Sequence, residues 1–215
     1  MDLLSSVAKP RFRGRLHQLA FFVSIPAGIT LVMLARGVEA RVAAAIFAAS
    51  ITGLYGASAL YHRGRWSERA RLALRRVDHA MIFVLIAGTY TPVVLLALRP
   101  AWGVTFLALA WAGAAVGIVI IVLRLERWPR VGGALYIVLG WLAVLAAPQL
   151  VHSLSGVEMG LLVAGGLLYT VGAVILARRR PDPRPLVFGY HEVWHTFVVS
   201  ANASHFALVL LLVRP

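Results

Sequence analysis

Seven long stretches of this chain carry almost no charge, and that limits it to very few folds. Arg15 and Arg36 are separated by 20 uncharged residues, and Arg41 and Arg63 by 21. Residues 77–98 hold a single charge, Asp78. Residues 100–123, 131–157, 159–177 and 193–213 hold none. A helix needs about 20 apolar residues to cross the hydrocarbon core of a bilayer. Within that core each backbone N–H and C=O must be paired inside the segment, so runs of this length are helices. They are too long for barrel strands. The expected fold is therefore an all-α integral membrane protein, a seven-transmembrane helix bundle.

Composition agrees. Hydrophobic residues make up 60% of the 215, and charged residues 13%, against about 25% charged in a soluble domain. Disorder requires the opposite bias. Cysteine is absent, so disulfides and thiolate metal sites are excluded and any metal must sit on His, Asp or Glu. The net charge of +13 raises nucleic acid as a partner, but its distribution answers differently. Of the 21 Lys and Arg, 17 fall in the N-terminal tail and in the loops after the second, fourth and sixth runs; the other side has only Arg36, Arg41, Arg99 and Arg214. Basic loops stay in the cytoplasm, which predicts an N-terminus inside and a C-terminus outside. The charge is then a membrane signature, and no nucleic acid is expected. Residues 1–15 read as a basic cytoplasmic tail and 16–215 as the seven-helix transmembrane domain. The first run follows Lys9, Arg11, Arg13 and Arg15 and lacks a clear small-x-small cleavage site, so it is expected to be retained.

Between the second and third runs, residues 62–76 (HRGRWSERARLALRR) suggest either a short interfacial helix or a solvated basic loop. The stretch Arg180-Pro-Asp-Pro-Arg-Pro cannot be regular helix. Thr89-Tyr90-Thr91-Pro92 marks an expected kink where Thr hydroxyls satisfy freed carbonyls. Gly132-Gly133 and Gly165-Gly166 are expected on close-packed helix surfaces.

Ionisable groups inside a span are costly and point to function. With the orientation above, Ser58 and His62 end the second helix at its cytoplasmic side, Asp78 begins the third there, and His191 and His195 begin the seventh. His191 and His195 are four residues apart on one helix face, as are Ser58 and His62. Three His and one water form a zinc sphere of the catalytic kind, in which the metal lowers the water's pKa to about 7. Asp78 could accept a hydrogen bond from that water and serve as general base. Ser58 could bond the water or a developing oxyanion. A plainer alternative stands beside this one: interfacial histidines, with Asp78 paired to Arg75, Arg76 or Arg63. His205 and Asn202 lie deeper on the seventh helix and read as interhelical hydrogen-bonding groups. His205 is about 15 Å along the helix from His195, too far to share its metal. His79 points away from Asp78; His17 and His152 read as interface residues.

Ser58-Ala-Leu-Tyr-His62, Asp78-His-Ala-Met-Ile-Phe-Val-Leu-Ile-Ala-Gly-Thr-Tyr-Thr-Pro92 and His191-Glu-Val-Trp-His195 together resemble the hemolysin III family. That family is the bacterial branch of the progestin and adipoQ receptor (PAQR) membrane proteins. It is similar more distantly to alkaline ceramidases, within the CREST superfamily of membrane hydrolases. The resemblance covers the chain from first helix to last. It implies a bacterial cell (inner) membrane protein with Zn2+ on His62, His191 and His195 near the cytoplasmic face, and with Asp78 and Ser58 holding the water. It also implies a zinc-dependent hydrolase of a lipid amide or ester, with membrane lipids as partners. The alternatives are a hemolysin or channel-like cytolytic protein and a receptor-like regulator of membrane lipids with structural zinc.

Overall fold

The structure, a computed structural model, describes residues 9–124 and 129–214. Residues 1–8 of the basic tail, Arg127, Pro215 and the side chains of Arg124 and Arg130 lie outside the described residues. The helices are α1 (Arg15–Leu34), α2 (Val38–Arg63), α3 (Glu68–Ala97), α4 (Pro100–Arg124), α5 (Pro129–Gly140), α6 (Ala147–Ser153), α7 (Gly156–Arg178) and α8 (Tyr190–Leu212). A 3₁₀ segment, Trp141–Ala146, joins α5 to α6, and the three together form one span. Among the described residues, seven helical segments are long and apolar enough to cross a membrane.

The bundle is apolar outside and polar in places inside. Leu19, Phe22, Met33 and Val104 are exposed, whereas Ser50, Ser58, Thr91, His195 and Asn202 are buried. In water this would be ruinous; in lipid the outer surface needs no polar cover. α2 packs between α1 and α3, and α8 packs against α1, α3 and α7. The Arg36 N–H donates to the Val213 carbonyl (3.2 Å), at the far end of the bundle from the start of α1. The two ends of the described chain therefore lie at opposite ends of the bundle.

Small residues set the helix spacing, as expected where lipid supplies no hydrophobic drive between helices. A Cβ on Gly88 of α3 would stand 2.6 Å from the Ser50 Cβ of α2. Gly165 of α7 is likewise filled by the His205 ring, but Gly133 and Gly166 face open space. Only one of those three glycines thus makes the expected close contact. Gly88→Ala should lower the thermal unfolding midpoint in detergent, by an overpacking cost of about 1–3 kcal/mol. Gly133→Ala, meeting nothing within 4 Å, should be neutral or stabilising. Equal midpoints for the two variants would discount this contact.

Three local expectations change. Residues 68–76 are not a separate interfacial helix: they are the first turns of α3, continuous with the third span. Ser67 caps them by accepting from the Ala70 N–H (3.3 Å), and the Arg, Ala and Leu that follow are strong helix formers with nothing to interrupt them. The fifth span is not one unbroken helix. Pro148 cannot donate to the Val144 carbonyl and its ring crowds that position, so the span tightens into the 3₁₀ segment just before it. At the Thr89–Pro92 stretch α3 runs on through Pro92. The hydroxyls of Thr89 and Thr91 donate to the carbonyls of Leu85 (2.8 Å) and Ala87 (2.9 Å), rather than to that of Gly88, which proline leaves without its helical donor.

Candidate metal centre

The start of α8 decides where its histidines sit. Helix N-termini leave backbone N–H groups without intrahelical partners. Here the Glu192 carboxylate accepts from the Gly189 N–H (2.9 Å) and Asp182 accepts from the Tyr190 N–H (2.8 Å). Glu192 is 2% exposed, and its other oxygen lies 2.6 Å from Arg13 Nε. A buried carboxylate is tolerable only with such a partner. The helix thus begins at a fixed point, and His191 and His195 project one turn apart from it toward the end of α2.

There they meet His62. One ring nitrogen from each of His62, His191 and His195 lies within 4.8 Å of the other two. The Nε2 atoms of His62 and His191 stand 3.1 Å apart. In a tetrahedral site with metal–nitrogen bonds of about 2.0–2.1 Å, two ligand nitrogens stand about 3.3 Å apart. The donor set therefore fits an ion that favours imidazole, and the trio could hold a metal. His195 adds a second sign, since its Nδ1 is buried without a hydrogen-bond partner.

Asp78 borders this trio. Its Oδ2 lies 3.9 Å from His62 Nε2, the same nitrogen that faces His191. Ser58, one turn before His62, hydrogen-bonds the Asp78 side chain. Ser58 therefore orients the carboxylate, a contact not foreseen from its spacing. The sequence candidates Ser58, His62, Asp78, His191 and His195 form one cluster drawn from three helices. His79 does not point away from Asp78 as expected: its Nδ1, 2.7 Å from the Arg75 carbonyl, also lies 3.8 Å from Asp78 Oδ2. His205 bonds the Leu162 carbonyl of α7 (3.3 Å), and Asn202 accepts from the Tyr169 hydroxyl (2.7 Å). Both make interhelical bonds, as their depth in the span suggested. His152 is exposed on α6.

His17 departs from expectation. It is 3% exposed, not an interface residue. Its ring stacks on that of His195 with centroids 3.7 Å apart and planes 5° apart. Both its nitrogens lack a hydrogen-bond partner, and an unsatisfied buried polar group costs about 1–3 kcal/mol. Gly14, the N-cap of α1 with φ 74°, comes so close that a Cβ there would stand 2.6 Å from the His62 Cβ. The segment before it is pinned across the start of α8: the N–H groups of Arg11 and Phe12 donate to the carbonyls of Leu186 (2.9 Å) and Val187 (3.1 Å). The tail was legible only as charge. No periodicity links Arg13 to Glu192 or His17 to His195, although Glu at the third position of a helix is itself a capping signal.

The sequence profile of the family described as haemolysin-III related matches residues 5–206. The chain belongs to that family. Among its relatives, Hemolysin-3 of Bacillus cereus is 36% identical over 202 residues, covering 93% of this chain and 89% of the relative. The Hemolysin-3 homolog of Bacillus subtilis (strain 168) is 34% identical over 197 residues, covering 90% and 89%. The human monocyte to macrophage differentiation factor, a PAQR-type protein, is 25% identical over 173 residues, covering 77% and 68%. Family membership and the seven helices together make this a multi-pass membrane protein.

Proposed function

We propose that this haemolysin-III-related protein is a zinc-dependent hydrolase of a lipid amide or ester, seated in the bacterial inner membrane with its site near the cytoplasmic face. The observation that carries the reading is the meeting of three imidazoles with one carboxylate among membrane-spanning helices. Three neutral imidazoles suit zinc better than magnesium or calcium, and His62, His191 and His195 would hold the ion. Zinc so held supplies a Lewis acid that lowers the pKa of water to about 7.

The chain's own residues then divide the work. Asp78 accepts a proton from water as the water oxygen adds to the acyl carbon. It returns that proton to the leaving nitrogen or oxygen as the C–N or C–O bond breaks, giving a carboxylic acid and an amine or alcohol. Ser58 holds the Asp78 carboxylate through its hydroxyl. The test is zinc analysis of the purified protein, followed by an assay of ceramides, lysolipids and phospholipids with and without a chelator. Hydrolysis abolished by chelation and restored by zinc is the expected result. Absence of hydrolysis on all three classes would remove the enzymatic reading.

The name of the Bacillus cereus relative, Hemolysin-3, favours a second reading, cytolysis. Among the described residues one bundle without an amphipathic pore segment argues against a dedicated pore, and lysis of loaded cells or vesicles by wild type and by Asp78→Asn alike would favour the cytolytic reading. A regulator with structural zinc is the third possibility, tested by the same variant.

The orientation is part of the proposal. The basic loops put the N-terminus and the site on the cytoplasmic side. A C-terminal alkaline phosphatase fusion should be active and a C-terminal green fluorescent fusion dark. The reverse pattern would move the site to the other leaflet.

A further inference from the structure

The contact between His17 and His195 is unlike the others in the cluster. Aromatic rings with the same charge distribution avoid a face-to-face sandwich and favour offset or edge contacts, with centroids about 4.5–7 Å apart. The rings of His62, His191 and His195 obey this, with centroids 4.5–5.3 Å apart and planes 58–72° apart. His17 and His195 instead lie nearly parallel at 3.7 Å. Such a sandwich becomes favourable when one ring is electron-poor, since the face of the other then attracts it as it would a cation. A ring that shares its lone pair with a metal ion is electron-poor.

His17 is not itself a fourth ligand to that ion. The lone pair of an imidazole lies in the ring plane, and one ion cannot sit in two parallel planes 3.7 Å apart. The ring is nonetheless delivered with care. It is the third residue of α1, whose start is held by the Arg13–Glu192 ion pair (2.6 Å) and by Gly14 against His62. Tyr55 closes its other surroundings, with ring centroids 5.1 Å apart.

We infer that His17 is a positioning residue of the metal centre: its ring clamps the plane of the His195 ring and so aims that ligand's lone pair. The inference rests on the proposed zinc site. It assigns α1, which supplies no metal ligand, a part in holding the metal.

The test uses the full chain in detergent with Co2+ as the probe, read by its visible d–d absorption and by competition with a chelator. His17→Ala and His17→Leu both remove the flat ring, and Leu fills the space. Each is expected to weaken Co2+ binding by roughly 10–100-fold, the scale for removing a group that orients a metal-bound histidine, and to alter the d–d bands. His17→Phe keeps a flat ring without nitrogens and should retain the wild-type bands, with affinity within about threefold of wild type, well below that range. Wild-type bands and affinity in His17→Ala would overturn the inference while leaving the metal site standing. A loss in His17→Phe equal to that in His17→Ala would also overturn it, because the nitrogens and not the ring plane would then matter. If wild type binds neither Co2+ nor zinc, the metal reading itself fails. Should the Ala and Leu variants not fold, His17→Met, which fills the space without a flat ring, replaces them: wild-type bands and affinity in the Met variant overturn the inference, and their loss beside a Phe variant that keeps them supports it.

Discussion

His191→Ala should strip the purified protein of nearly all its zinc. Wild type is expected to carry about one ion per chain, as a single three-histidine site allows. His191 contributes one nitrogen of three and stands 3.1 Å from the His62 nitrogen, so its loss leaves two donors and opens the trio. Affinity should fall by more than the roughly 10–100-fold typical of losing a partner outside the coordination sphere. His152→Ala is the matched control, because His152 is exposed at the other end of a span and meets none of the three. Metal analysis after gel filtration reads both. Equal zinc in the two variants would end the assignment of the trio as a metal centre.

The second large effect separates binding from chemistry. Asp78→Asn keeps the size of the side chain and removes its charge and basicity. The three histidines still hold the ion, so zinc should be largely retained, with an affinity loss of at most roughly 10–100-fold. Hydrolytic turnover should fall by about 10²–10⁴, the usual contribution of a positioned general base. Ser58→Ala should cost less, since the hydroxyl only orients the carboxylate it bonds. The assay is lipid hydrolysis by variants matched for zinc content. Full activity in Asp78→Asn would reduce the carboxylate to a structural partner and make the zinc structural as well.

The seven spans were legible because length and charge alone define them in a bilayer. The pairs Ser58/His62 and His191/His195 were legible because four residues make about one helical turn. Asp78 was legible as the single charge in its run. What escaped were features that depend on one element approaching another. His17 had no spacing rule to tie it to His195, and it became meaningful only when α1 was seen against α8. Arg13 looked like one more positive charge in a basic tail until Glu192 appeared 2.6 Å away. The break in the fifth span was missed for a different reason. Residues 131–157 are uncharged throughout, and hydropathy does not register what Pro148 does to the backbone.

That break bears on how the protein is made. The 3₁₀ segment leaves backbone groups that the span cannot satisfy by itself, and Tyr90 of α3 meets them. Its hydroxyl is shared between the carbonyls of Leu139 (3.1 Å) and Gly140 (2.6 Å) and accepts from the Ala143 N–H (3.0 Å). A spanning segment with unsatisfied backbone groups is poorly suited to enter lipid alone. The fifth span therefore has reason to leave the insertion machinery only beside the third. Synthesis runs in the order this requires: Tyr90 is already in the bilayer when Gly140 emerges from the ribosome. The third span, made first, thus carries the one phenol hydroxyl on which the later, imperfect span completes its bonds.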